Sequence, residues 1–428
     1  MVMSEYYRRT TCRLCTSPDL TQVLALTPTP PANAFVDATK LAEEQRCYPL
    51  DVHFCEACGH VQLVDVVDAR VLFENYVYVS STSPVFVKHF EDYAENLISQ
   101  FDIPEGALVC DIGSNDGVFL RAFKDRGMRV LGVDPAKDIA KRATASGIPT
   151  IPQFFSQPIA TTIAAEHGRA AAVTANNVFA HADDLSEIVS GVCQLLDEDG
   201  VFVFEVSYLL DVYRDTLFDT IYHEHVAYHT VEPLQRFFAQ HAMVLLDAQR
   251  ISPHGGSLRA VAGRANSKRV PNESVAQLIA LEREAGLHRA QTFQDWAAKI
   301  QQRGRELRAE LDARRQRGQR IAGFGAPAKA TTLMYHYGLD ADVFEFIIDD
   351  SPLKQGLFSP GLHVPVLPFS ALDENDIDCL VILAWNFAEP IIAKCQAFIE
   401  AGGSVVVPLP EVRVVEGAQT MPATSRRA

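Results

Sequence analysis

The 428-residue sequence predicts an α/β protein: a cysteine-bearing N-terminal module followed by two successive parallel-sheet domains. Three observations carry that prediction. Two C-x-x-C pairs, CRLC and CEAC, lie near the N-terminus, strand–turn–helix–strand alternation begins near Ala107, and the same alternation restarts near Arg320 after a long polar helical stretch. A chain of this length exceeds what one core organises. Its 48% hydrophobic and 21% charged content are those of a globular protein.

The net charge of -16 argues against a general nucleic-acid surface, since such affinity comes mostly from Lys and Arg displacing counterions. A small anionic substrate held by a few local donors remains compatible with it. The longest apolar run, around Leu380 to Trp385, falls short of the roughly 18 residues of a membrane span. The start, MVMSEYYRRTTCRLC, has no apolar signal region, so a cytoplasmic location is expected.

Five of the 9 cysteines cluster near the N-terminus and the rest are scattered. In a reducing compartment such a cluster points to a metal rather than to disulfides. Cys12, Cys15, Cys55 and Cys58 form two knuckles whose four thiolates can close a tetrahedron around Zn2+, with Cys47 and His60 as spare ligands for the fourth position. A closed set of four leaves no open coordination site. The zinc is therefore expected to be structural, in a zinc-binding domain spanning residues 1–75.

Residues 76–270 are expected to form the middle domain. LVCDIG reads as a buried strand, GVFLRAFKDRG as a helix and RVLGVDP as the next strand. The loop between them, G-S-N-D-G, is not the dinucleotide fingerprint. A strand ending in acid-x-Gly, with a second acid closing the next strand, resembles the class I methyltransferases that bind S-adenosylmethionine (SAM). Charge supports that choice. Asp111 and Asp116 would sit near the methionyl amine and sulfonium, Gly113 would let the backbone of the Ser114–Asn115 turn approach the ligand, and Asp134 would accept from the ribose hydroxyls. A pyrophosphate would meet repulsion there. Two further strands end near Asn176 and Glu205, which places Asn176, His181 and the segment after Val206 around one crevice beyond the carboxyl ends of the strands.

Residues 271–318 read as one or two connecting helices, capped by Asn272 or Ser274 and stopped by Gly318. Residues 319–428 then form a second, Rossmann-like domain. Its GFGAPAK loop is close to a dinucleotide fingerprint but carries Pro327 and Lys329 at the helix start, a pattern suited to the phosphate of a nucleotide-linked substrate. Asn386, at the end of a later strand, is expected with Lys329 at the substrate.

DTIYHEHVAYHT, starting at Asp219, concentrates histidines and tyrosines in one short stretch. A zincin-type metal site is disfavoured, because Val226 rather than Glu follows His225. On one helical turn, Tyr222 and His225 would lie at i and i+3 and point at one ligand atom, with Glu224 orienting an imidazole or a sugar hydroxyl. Methylating carbon requires a C–H beside a carbonyl to be deprotonated and the enolate oxygen to be stabilised. Imidazole and phenol groups suit that task.

Together CRLC, CEACGHVQL, FENYVYVSSTS, CDIGSNDGVFL, NNVFAHADDL, YHEH, HGGSLR, GFGAPAKATTL and LAWNFAEPI resemble the sugar 3-C-methyltransferase family, which builds branched antibiotic sugars. The resemblance covers nearly the whole chain. It implies a zinc-binding domain, a SAM domain and a Rossmann-like domain, with a nucleotide-linked keto-deoxysugar between the last two. It also implies His225 as the base at C3, Tyr222 beside the keto oxygen, Tyr76 closing the site, and His181 and Glu224 assisting. His254 and Arg259 of HGGSLR, with the GFGAPAK loop, would shape the sugar and nucleotide sites. The alternatives are a C5- or O-methyltransferase on a similar sugar, a zinc-ribbon nucleic-acid methyltransferase and a two-Rossmann oxidoreductase. The number of associated chains is left open, a monomer included.

Overall fold

The computed structural model describes residues 5–73, 84–251 and 256–417. Tyr76 and His254 lie outside them. The chain packs as two compact units, each drawn from three stretches: Met1–Leu24, Asp51–Val212 and His223–Phe293 in the first, and Ala25–Leu50, Tyr213–Tyr222 and Gln294–Ala428 in the second.

The first unit is organised by a seven-stranded sheet of β1 (Leu108–Ile112), β2 (Arg129–Val133), β3 (Thr150–Ile151), β4 (Ala170–Asn176), β5 (Leu196–Ser207), β6 (Met243–Ile251) and β7 (Ser257–Arg264), in the order β6-β7-β5-β4-β1-β2-β3. Every residue of β1 is buried, as a central parallel strand covered on both faces requires. β1 to β5 run parallel, whereas β7 lies antiparallel between β5 and β6. Strand order reverses between β1 and β4. A crevice therefore opens beyond their carboxyl ends, the edge at which such sheets bind ligands. Helix α1 (Pro84–Phe101) packs Tyr93 and Leu97 into one cluster with Phe119 and Phe123 of α2 (Val118–Lys124), below that edge.

The two cysteine knuckles of this unit repeat one geometry. The Thr16 amide donates to the Cys12 carbonyl at 3.0 Å, and the Gly59 amide to the Cys55 carbonyl at 2.8 Å. Both donors hold left-handed backbone, with φ of 60° and 82°, which glycine adopts freely at the second knuckle. The strand Tyr48–Cys55 delivers the second knuckle and pairs antiparallel with Val61–Leu63. That short strand in turn pairs with Ala227–Tyr228, which starts two residues beyond His225.

α3 (Glu273–Glu284), capped by the Asn272 side chain, and α4 (Ala290–Gln316), followed by Gly318 at φ 77°, occupy the polar stretch. The stretch is more than a solvated face. Glu282 is buried, accepts the Tyr208 hydroxyl at 2.8 Å and the Val231 amide at 2.7 Å, and burial raises its pKa to about 7.

The second unit carries a six-stranded sheet of β8 (Ile321–Phe324), β9 (Ile347–Ile348), β10 (Val366–Leu367), β11 (Cys379–Ile382), β12 (Ser404–Val407) and β13 (Arg413–Glu416), in the order β10-β9-β8-β11-β12-β13. All neighbours are parallel except the last pair. Helix α5 (Ala328–Tyr337) follows the GFGAP loop after β8, and Trp385 and Asn386 follow β11. No described helix is long and apolar enough to cross a membrane.

Candidate active site

The carboxyl edge of the first sheet collects the acids expected there. Asp111, inside β1, is buried and accepts the Thr174 hydroxyl from β4 at 2.6 Å. Burial raises its pKa to about 7, and the neighbouring Asp134 adds to the rise against the Thr174 bond. Asp134, just past β2, accepts the Asn115 amide at 2.8 Å and the Ala136 amide at 2.9 Å, which holds the glycine loop against it. Gly113 has φ 69°, and a Cβ there would come within 2.3 Å of Val178 Cγ2. Only glycine fits that turn. Ser114 is buried behind the loop, and the Asp116 amide donates to the Asn115 side chain at 2.9 Å. Asn176 ends β4 with both amide atoms buried and without hydrogen-bond partners among the described residues. A polar side chain buried in that state has spare capacity for a ligand.

These groups fit a cation next to a polar nucleoside. The sheet edge offers two carboxylates and an amide, with no described Lys or Arg hydrogen-bonded to Asp111 or Asp134. A pH dependence follows. Because the sulfonium cation favours the Asp111 anion, SAM affinity should fall as pH drops below about 7, by up to about tenfold per unit. Calorimetric titration between pH 5.5 and 8.5 checks this, and Asp111→Asn should flatten the profile.

YHEH sits beside this edge. Residues 222–224 form a turn rather than the expected helical turn, because the backbone that follows is committed elsewhere. The amides of Val226 and Ala227 both donate to the Ala180 carbonyl, at 3.0 and 3.1 Å, and the Val226 carbonyl accepts the Leu63 amide at 3.0 Å. His225 is thereby half-buried against His181, their ring centroids 4.9 Å apart. On its other side His181 stacks on Phe73 at 5.6 Å and 6°. Burial first, and His225 second, hold the His181 pKa well below its ordinary value, so its imidazole is neutral. Glu224 and His223 are buried, and Tyr222 is half-buried as the last residue of its stretch of the second unit.

His229 does not join His225. It is buried between Phe179 and His60, each 5.5 Å away centroid to centroid, and neither His60, the spare zinc ligand, nor His229 belongs to a metal-holding group among the described residues. Among the described residues, the group able to hold a metal is Cys12, Cys15, Cys55 and Cys58, whose sulfurs all lie within 4.8 Å of one another. The Cys12–Cys58 and Cys15–Cys55 separations are 3.6 and 3.5 Å. A zinc tetrahedron with bonds of about 2.3 Å has an edge of about 3.8 Å, so the four thiolates fit that ion. Cys47 is not part of that group and is exposed in the second unit beside Tyr335.

Several residues expected at the substrate are committed to internal partners. Arg259 on β7 donates to Glu205 Oε1 at 2.6 Å and lies 3.6 Å over the Tyr93 ring, while His89 Nε2 sits 3.0 Å from the other Glu205 oxygen. The β5–β7 register, which places Glu205 opposite Arg259, creates this pair. Lys329 reaches Asp219 rather than an open loop, at 3.6 Å. Asn386 is exposed. Sequence reasoning assigned no role to Thr174, His89 or Asp219, since each acts through a partner remote in the chain.

Three stretches of the chain match protein families. Residues 252–410 match the family described as C-methyltransferase C-terminal domain, residues 86–243 a methyltransferase domain and residues 12–73 a zinc binding domain. The C-methyltransferase NovU of Streptomyces niveus is 33% identical over 410 residues, covering 96% of this chain and 98% of that protein. The chain belongs to the C-methyltransferase family. Among solved structures, magnesium protoporphyrin IX methyltransferase of Synechocystis with bound SAH is 16% identical over 42% of this chain and 82% of its own, with a TM-score of 0.32. An S-adenosylmethionine-dependent methyltransferase of Clostridium acetobutylicum is 10% identical over 44% of this chain and 92% of its own, with a TM-score of 0.33. Those overlaps are too loose to transfer residue roles. This C-methyltransferase is a SAM-dependent enzyme with an N-terminal zinc-binding module.

Proposed function

We propose that this C-methyltransferase methylates C3 of a dTDP-linked 4-keto-deoxysugar through an enolate, in the making of branched deoxysugars of antibiotics in the cytoplasm. The observation that supports this most is the His181–His225 pair. The amide bonds of Val226 and Ala227 to Ala180 hold it beside the carboxyl end of β4, the sheet edge that carries Asp111, Asp134 and Asn176.

His225 takes the C3 proton as general base. Its half-exposed ring can meet a substrate, whereas neutral, half-buried His181 packs against that ring. Neutrality of His181 matters, because a second cation at 4.9 Å would disfavour the imidazolium that His225 becomes. Tyr222 stabilises the oxygen on which enolate charge develops, and Glu224 assists. When bound, SAM supplies the methyl group that the enolate carbon takes up. Asp111, Asp116, Asp134, Ser114, Asn115 and Asn176 would hold that cofactor, and binding it in one crevice with the sugar would convert the encounter into an intramolecular one.

The test is the position of the label after turnover with methyl-13C SAM and a dTDP-4-keto-6-deoxysugar. Carbon NMR should show one new methyl bonded to C3. Label at C5 or on oxygen would replace the proposed regiochemistry with one of the alternatives.

A further inference from the structure

The stretch leading into YHEH is gripped by groups to which the reaction gives no part. Asp219 is fully buried in the second unit, and its Oδ2 accepts the Trp385 indole N–H at 2.6 Å. Lys329 Nζ lies 3.6 Å from the same oxygen and 4.2 Å from the centre of the Trp385 ring, which closes a triangle. Asp219 Oδ1 is buried without a hydrogen-bond partner among the described residues, so the charge is supported through Oδ2 alone. Three residues along α5 from Lys329, the Thr332 hydroxyl donates to the Ile221 carbonyl at 2.8 Å. One turn further, His336 and Tyr337 pack on Phe218, with centroids 5.6 and 5.1 Å apart. α5 therefore touches residues 218, 219 and 221, immediately ahead of Tyr222.

A buried ion pair is a poor source of stability, because the cost of desolvating both charges offsets their attraction. What it supplies is a fixed geometry, since neither charge can be buried without the other. Its place in the fold says what is being fixed. The loop and helix that carry Lys329 look like a phosphate-binding start, yet the ammonium that would meet a phosphate is turned inward onto the carboxylate that begins DTIYHEH.

We propose that Lys329, Asp219 and Trp385 are positioning residues that lock residues 218–221 onto α5, so that Tyr222 is presented to the substrate oxygen in one orientation. The proposal rests on the reading of Tyr222 as the group beside the keto oxygen. It removes Lys329 from the nucleotide site. Displacing a reacting group by about 1 Å can cost about 100-fold in rate, so the lock should register in turnover rather than in affinity.

Lys329→Met, Asp219→Asn and the milder Trp385→Phe, which keeps an aromatic ring and removes only the N–H, separate this role from the alternatives. With Lys329→Met and Asp219→Asn, kcat should fall about 10- to 100-fold, and with Trp385→Phe about 3- to 10-fold. The KM for the sugar nucleotide and the dissociation constant of thymidine diphosphate should stay within about twofold, as for a group that acts through Tyr222 alone. Amide hydrogen exchange in the peptide covering residues 213–222 should quicken at least about tenfold in Asp219→Asn, a readout independent of any substrate. The proposal is overturned if Lys329→Met weakens thymidine diphosphate binding tenfold or more with kcat retained, as loss of a phosphate ligand would. It is equally overturned if Trp385→Phe and Lys329→Met both keep full turnover, or if exchange across 213–222 is unchanged. Wild-type enzyme inert towards every keto-sugar nucleotide would contradict the proposed function instead, and the exchange measurement would still decide on the lock.

Discussion

His225→Asn is expected to lower kcat by about 100- to 10,000-fold while SAM affinity stays within about twofold. The range is that of a positioned general base removed from a transition state, and Asn keeps the hydrogen-bonding bulk of the ring without its proton affinity. The unchanged affinity follows from the fold. Asp111, Asp134, Gly113 and Asn176 hang from β1, β2 and β4 and their following turns, whereas His225 reaches that edge through Ala180 and Leu63. Two controls sharpen the reading. Tyr228→Phe removes the hydroxyl that donates to the His225 carbonyl at 2.9 Å and should cost far less, because Val226 and Ala227 still fix the backbone. His181→Phe should preserve the ring stack but remove a neutral nitrogen, giving a loss of about tenfold. Single-turnover rates with saturating sugar nucleotide, paired with calorimetry for SAM, check all three.

Loss of zinc should disable the enzyme as thoroughly as loss of the base. Replacing Cys58 by Ser breaks a set of four thiolates with which structural zinc typically contributes about 10–16 kcal/mol of folding free energy. The module does not end at its own boundary. Its second knuckle closes the hairpin of Tyr48–Cys55 and Val61–Leu63, and Val61–Leu63 pairs with Ala227–Tyr228, two residues beyond His225. Unfolding of the hairpin strips the Leu63–Val226 bond and leaves the YHEH turn held from one side only. Chelation of the native protein, or Cys58→Ser, should therefore abolish turnover to below about 1% and speed amide exchange both in residues 55–63 and in residues 225–229. A protein whose exchange quickens in 55–63 but not in 225–229 would show the hairpin and the turn to be independent.

The sequence exposed what is local. The acid-x-Gly turn, the acid after the next strand and the two C-x-x-C knuckles are short-range patterns, so Asp111, Gly113, Asp134 and the four cysteines could be named from spacing, and β1, β2 and α2 from periodicity. What eluded it is set by register and by partners far along the chain. Whether Arg259 meets a substrate or Glu205 depends on the antiparallel placement of β7 beside β5, and no local motif encodes that pairing. The GFGAPAK pattern places Lys329 at a helix start but cannot say that Asp219, 110 residues earlier, will claim its charge. Likewise YHEH has helical spacing, yet Leu63 and Ala180 draw the backbone after it into extended structure. Nor does any run of residues announce that Ala25–Leu50 and Tyr213–Tyr222 pack with the C-terminal unit.

The central claim is that an imidazole at position 225 generates an enolate before the methyl is transferred. Proton NMR of a dTDP-4-keto-6-deoxysugar incubated in deuterated water with enzyme but no SAM tests it most directly. The account predicts loss of the C3 proton signal with wild-type protein and its retention with His225→Asn. Exchange that proceeds equally fast with the variant, or no exchange at any carbon with an active wild-type enzyme, would contradict it.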